Sequence, residues 1–251
     1  MSKNESKIGW KLKNVAVSLC LSSAAAILPA ALAADVPADL NLPPMNLNVP
    51  TKDGTFYLNV MLNSVKNLND YTFDSEIITY KKNSVVRATG KFYYKPLNLV
   101  RIEVTGQGYK SGSVLVRTSE GKVRAKGGNS LAWMKLTLAE DSRMLILPNG
   151  LNVVKSDYQH LVSGLKEAIS QGGKCTISQS PVSVSYLNDK VTVLDVTDPQ
   201  KADTIWQRLY IKPDNNLPIA WDIYNGGKLF SRAKFLNVKP NVGLTDDLFQ
   251  L

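Results

Sequence analysis

Residues 91–103 read KFYYKPLNLVRIE, and their alternation decides the fold. Just upstream, Val86, Ala88, Gly90, Phe92 and Tyr94 take every second position, with Arg87, Thr89, Lys91, Tyr93 and Lys95 between them. A period of two with one apolar set predicts a strand with one buried face. Pro96 has no N–H to give to a sheet ladder, so it belongs in a turn. Residues 99–105 then run back, with Val100, Ile102 and Val104 alternating against Leu99, Arg101, Glu103 and Thr105. The stretch is a hairpin that turns on Pro96-Leu97-Asn98.

The same pattern continues along the chain. Residues 113–118 and 123–126 read as strands about the turn Ser119-Glu120-Gly121-Lys122. Residues 182–187 (VSVSYL) and 191–196 (VTVLDV) read as a hairpin about 188–190. Residues 205–212, 217–224 and 228–238 follow, separated by Pro213-Asp214-Asn215-Asn216 and Asn225-Gly226-Gly227. Successive strands with short turns imply an antiparallel meander. Two stripes at helical spacing flank these runs. The first is Leu58, Met61, Leu62, Val65 and Leu68. The second is Tyr158, Leu161, Val162, Leu165, Ala168 and Ile169, with Gly172-Gly173 as its stop. A shorter helix is expected within 136–147, before Pro148. The fold class expected is α+β and mainly β: a large antiparallel sheet burying one face against a few helices.

The ends set the domain organisation. Lys3, Lys7, Lys11 and Lys13 precede an apolar run from Val15 to Leu28, and Ala31-Leu32-Ala33 offers a small-x-small cleavage site. Residues 1–33 are therefore expected to be a secretory signal peptide, cut before Ala34. Cys20 lies inside the apolar run after Leu19, so no lipid anchor is expected there. Residues 34–54, rich in Pro, Asn and Asp, read as a tether, and one domain fills 55–251. Cleavage leaves Cys175 as the one cysteine, so no intramolecular disulfide is expected.

Chemistry is sparse. The formal net charge of +9 fits nucleic acid, anionic lipid or plain solubility. The basic residues look scattered in the sequence, so a solvated surface is the reading adopted and no nucleic acid is expected. There is one histidine, His160, which excludes His pairs and most acid–base schemes. No nucleophile elbow, zinc signature, phosphate loop or dinucleotide fingerprint appears. Gly106-Gln107-Gly108 reads as a turn. Asp141, Asp157, Asp246 and Asp247 read as helix caps or turn residues. No catalytic residue, metal site or cofactor is expected, and the chain does not read as an enzyme.

Three stretches carry a resemblance. Gly90-Lys91-Phe92-Tyr93-Tyr94-Lys95-Pro96 with Leu99-Val100-Arg101-Ile102 is similar to the hairpin of the periplasmic lipoprotein-carrier superfamily of the Lol type. Ser119-Glu120-Gly121-Lys122 is similar to its inter-strand turn. Asn241 to Phe249, with Asp246-Asp247, resembles its closing segment. The middle of the chain looks nearer to that superfamily's secreted relatives of unknown function. The resemblance implies an incomplete barrel, curled so that helices cover a concave apolar face, and carriage of acyl chains without a covalent step. It also implies that Lys95, where Arg is typical, latches the lid helices, and it makes Arg101 a departure from the apolar or aromatic residue usual there.

Together these give a ligand-binding set of Phe92, Tyr94, Lys95, Leu99, Ile219, Trp221 and Ile223. The function expected is a non-catalytic periplasmic protein, monomeric, holding a lipid or acyl chain and passing it toward the outer membrane. The alternative is a periplasmic sensor or scaffold that binds a membrane-associated protein partner with no lipid cargo.

Overall fold

A computed structural model describes residues 49–106 and 111–251. The expected signal peptide, its cleavage site, most of the tether and Gln107-Gly108 lie outside the described residues. Two α-helices and twelve strands are found among the described residues. In chain order these are β1 (Thr51–Asp53), α1 (Thr55–Lys66), β2 (Tyr71–Lys81), β3 (Ser84–Lys95), β4 (Leu99–Val104), β5 (Val114–Arg117), β6 (Val123–Lys126) and β7 (Lys135–Leu138). Then come α2 (Tyr158–Ser170), β8 (Cys175–Ser178), β9 (Thr192–Asp198), β10 (Lys201–Ile211), β11 (Pro218–Asn225) and β12 (Lys228–Pro240). The strands form one antiparallel sheet in the order β1-β8-β9-β10-β11-β12-β2-β3-β4-β5-β6-β7, curled as an incomplete barrel that does not close. Among the described residues no helix is long and apolar enough to cross a membrane.

The quoted hairpin forms as its pattern predicts. Tyr94 lies opposite Val100, Phe92 opposite Ile102, and Lys95 opposite Leu99. Leu97 and Asn98 turn the chain with positive φ of 70° and 58°. On the other side β2 pairs with β3 along its whole length, placing Tyr71 against Tyr94 and Phe73 against Phe92. The apolar set thus shares one face, the inner one.

Both helices pack on that inner face. Leu58, Met61 and Val65 of α1, with Leu161, Val162 and Leu165 of α2, join Tyr71, Phe73, Phe92, Tyr94, Leu194, Leu209 and Phe235 in one core. Asp157 caps α2 by accepting the N–H of His160, as its position predicts. Tyr158 pins the helix to the sheet. Its N–H donates to the Tyr71 hydroxyl, its own hydroxyl donates to the Pro218 carbonyl, and its ring stacks 4.8 Å from that of Tyr71.

Three sequence expectations fail. Residues 182–187 are not a strand: β9 takes β8 and β10 as neighbours, and only Val182 bridges to Val191. The intervening segment folds over the outer face and buries Val184 there. The helix expected within 136–147 is β7 plus a single 3-10 turn, Arg143–Leu145, because Leu136 and Leu138 pair with Ala125 and Val123. Residues 51–53, expected to be part of a tether, are a strand instead, since Thr51–Asp53 pairs with β8.

Candidate functional site

The inner face is larger than two helices cover. Over β4–β7 the cover is an irregular strap, residues 139–157, that contains two 3-10 turns, Arg143–Leu145 and Val153–Lys155. The second turn packs on β4 and β5. Leu145 and Val154 reach down into the core with Val100, Ile102 and Val123, while Met144 and Ile146 point outward at 65% and 43% exposure.

Polar ties hold the strap. Asn149 Nδ2 donates to Ser231 Oγ at 3.2 Å, and that hydroxyl donates to the Ile78 carbonyl, so the strap tip is fixed to β12 and β2. Asn152 Nδ2 donates to the Glu140 carbonyl at 2.6 Å. Glu140 takes the Arg117 guanidinium on one oxygen and Lys155 Nζ, at 3.4 Å, on the other. Burial pushes the Glu140 carboxyl up, but Arg117 and Lys155 outweigh it and hold the group below the usual glutamate range. Arg117 also donates to the Asn98 carbonyl, linking the strap to the β3–β4 turn. None of these contacts entered the expected site. Arg117 was the available sign, since β5 pairing sets it on the inner face opposite Val100.

The seven expected residues do not share one site. Phe92 and Tyr94 lie in the inner core, where burial and then the Asp157 charge push the Tyr94 phenol up to about 12. Trp221 is inner and 8% exposed, and its Nε1 donates to Gln207 Oε1. Ile223 packs half-buried against the same core. Ile219 does not join them. Tyr210 pairs with Ala220 and Ile211 with Pro218, so Ile219 is the extra residue of a bulge, and it packs with Tyr210 and Val193 instead. Leu99 and Lys95 are opposite each other on the outer face, one residue out of phase with Tyr94 and Val100. Among the described residues no group of three or more His, Cys, Asp or Glu side chains could hold a metal ion.

No protein-family model matches the chain, and no curated protein does. Solved structures match. MucB is 15% identical with a TM-score of 0.50 over 80% of this chain, which spans 64% of MucB's length. A LolA superfamily protein from Nitrosomonas europaea is 8% identical over 77% of this chain and 97% of that one, with a TM-score of 0.44. A DUF1329 family protein from Desulfovibrio piger is 12% identical over 79% of this chain and 98% of that one, with a TM-score of 0.43.

The fold is like that of MucB.

Within this fold the latch implied by the resemblance does not form. Lys95 Nζ does not reach either helix. It donates to Asp246 Oδ1 at 2.6 Å and to the Leu244 carbonyl at 3.1 Å, because an outer-face side chain can meet only what crosses that face, here the C-terminal segment. Arg101 works beside it, donating to the Leu248 carbonyl and to Glu103. At the start of the segment Asp70, 3% exposed, accepts the N–H groups of Val242, Gly243 and Leu244. Lys95 and Arg101 therefore fasten the C-terminal segment.

Proposed function

We propose that the chain is a non-catalytic, exported binding protein that holds an acyl chain against the inner sheet face beneath the strap. One observation carries this reading: the apolar face over β4–β7 is covered by an irregular segment tied down by polar side chains, not by a helix. Segments with few buried apolar contacts open at lower cost than packed helices. Swinging 139–157 away would withdraw Leu145 and Val154 and leave Ile102, Leu115 and Leu136 as an apolar strip, beside Val100, Val123 and Leu138 with Arg117 set between the first two. An apolar face rimmed by polar residues suits one flexible apolar ligand. Phe92 and Tyr94 would form the end of that strip, while Trp221 and Ile223 lie further along the same face. The Lys-rich start and Ala31-Leu32-Ala33 support export to the periplasm.

A membrane-associated protein partner without lipid cargo is the second reading. It is favoured by the packing of the β2–β3–α2 region, where Tyr71, Phe92, Tyr94 and Tyr158 are almost solvent-free. Native mass spectrometry of protein recovered from its own periplasm separates the two. Acyl-mass adducts on the processed chain are expected. A bare chain accompanied by a bound polypeptide would replace the first reading by the second.

A further inference from the structure

Among the described residues the sheet does not close, and β7 is bonded on one side only, to β6. The N–H of Gly127 donates to the Met134 carbonyl, and by alternation Leu136 and Leu138 spend their backbone groups on β6, while the Met134 N–H donates to the Leu131 carbonyl. By antiparallel alternation the N–H and C=O of Lys135 and Thr137 point away from the sheet. Both residues are exposed, and among the described residues no hydrogen bond reaches those outward groups.

The charge beside this edge has one sign. On the outer face Lys126 lies directly opposite Lys135, and Arg124 lies opposite Thr137. Like charges placed directly across a strand pair repel. From Gly121 to Ala139 the sequence contains Lys122, Arg124, Lys126 and Lys135 and no Asp or Glu. Lys122 is paired to Glu120, whereas Arg124, Lys126 and Lys135 have no ion pair among the described residues. The basic residues that look scattered in the sequence are brought together by the β6–β7 register.

We propose that the β7 edge takes an added strand from an acidic partner: an extended segment with carboxylates on alternate positions and apolar side chains between them. Strand addition fits because the edge offers free donors and acceptors at Lys135 and Thr137. The alternation follows from the faces. Side chains on the outer face would meet Arg124, Lys126 and Lys135, and those on the inner face would continue the row of Leu136 and Leu138. A second copy of this chain is a poor occupant, because pairing β7 with itself adds one basic row to another. Lysine at an edge is a known guard against self-pairing, and the same charge admits an acidic strand.

The experiment measures fluorescence anisotropy of a short labelled peptide of alternating glutamate and valine with the intact processed protein. Binding is expected, and it should weaken as salt rises. The same peptide with lysine for glutamate should not bind. Lys126→Ser/Lys135→Ser should weaken binding about fivefold or more, the scale of losing two exposed ion pairs. Thr137→Pro removes an outward donor while leaving the bonds to β6, and it should abolish binding. If that variant misfolds, amide exchange on the wild-type protein decides the point: the peptide should slow Lys135 and Thr137. Equal binding by Thr137→Pro, or no slowing at those two amides, overturns strand addition. So does a result in which vesicles of phosphatidylglycerol and phosphatidylethanolamine, and not the peptide, bind in a manner dependent on Lys126 and Lys135.

Discussion

Asp222 and Arg232 face each other across β11 and β12 on the outer side of the sheet, joined by two hydrogen bonds of 2.8 and 2.9 Å, with side chains 0% and 8% exposed. The hydroxyls of Tyr186 and Tyr210 both donate to Asp222 Oδ2, and the Arg232 guanidinium lies 3.6 Å from the Tyr186 ring centroid. The 179–191 segment is thus held over the outer face by one carboxylate. Asp222→Ala leaves a buried cation unpaired and should cost about 3–5 kcal/mol in a denaturant titration. A loss below about 1 kcal/mol would show that the pair is not buried in solution.

Alkaline pH should unfold the protein through its buried phenols and thiol. Burial pushes Tyr94 and Tyr224 from 10.0 to about 12, and Cys175 from 9.0 to about 12. The unfolded chain releases these protons first, so between about pH 9 and 12 the native state binds more protons and stability falls as pH rises. The contribution is whole below pH 9. Denaturant midpoints should be flat from neutral pH to about 9 and then decline. A midpoint that holds level through the window would contradict the assigned burial.

Gly54 is required by a close approach. A Cβ there would lie 2.8 Å from Cys175 Sγ and 3.0 Å from the Thr176 backbone carbon, at the point where α1 leaves β1. Gly54→Ala should lower stability by about 1–3 kcal/mol, the range for overpacking. Cys175→Ser should cost about 1–2 kcal/mol or less. Gly54→Ala/Cys175→Ala should recover part of the loss only, since the Thr176 backbone stays. Full recovery in thermal melts would place the whole clash on the sulfur.

Lys95→Ala should free the C-terminus and spare the helices. The ion pair is solvent-accessible, with side chains 31% and 75% exposed, so the stability change should stay within about 1 kcal/mol. Hydrogen exchange should quicken over 244–249 and remain unchanged in α1 and α2. Faster exchange in the helices would restore the lid latch implied by the family resemblance.

The parts legible in the sequence are those in which one period dominates. Val86 to Tyr94 could be assigned to one face because the period never breaks, and the β2–β3 register confirms it. The stripes of α1 and α2 were equally clear. Residues 182–187 misled because Val-Ser-Val-Ser-Tyr alternates in the same way whether it pairs in a sheet or lies across one. β8 escaped notice because four residues give too short a period. Ile219 was assigned by counting in twos from Trp221, and a bulge breaks that count without any mark in the sequence. Leu99 and Lys95 are different: their own alternation places them outside, and only the family resemblance points inward. The strap has no period, so its role emerges only from where Leu145 and Val154 land.

Uptake of a fluorescent fatty acid by a strap that can be locked tests the central claim most directly. Asn149→Cys/Ser231→Cys places two thiols where Nδ2 and Oγ are now 3.2 Å apart, and a short thiol crosslinker joins them. Cys175 is buried and its thiol is pushed up to about 12, so it should not compete. The uncrosslinked double variant, which lacks the Asn149–Ser231 tie, should take up the probe at least as well as the wild type, and the crosslinked form of the same protein should take up little or none. Equal uptake with the strap locked, or no uptake by the wild type, would contradict an acyl site beneath residues 139–157.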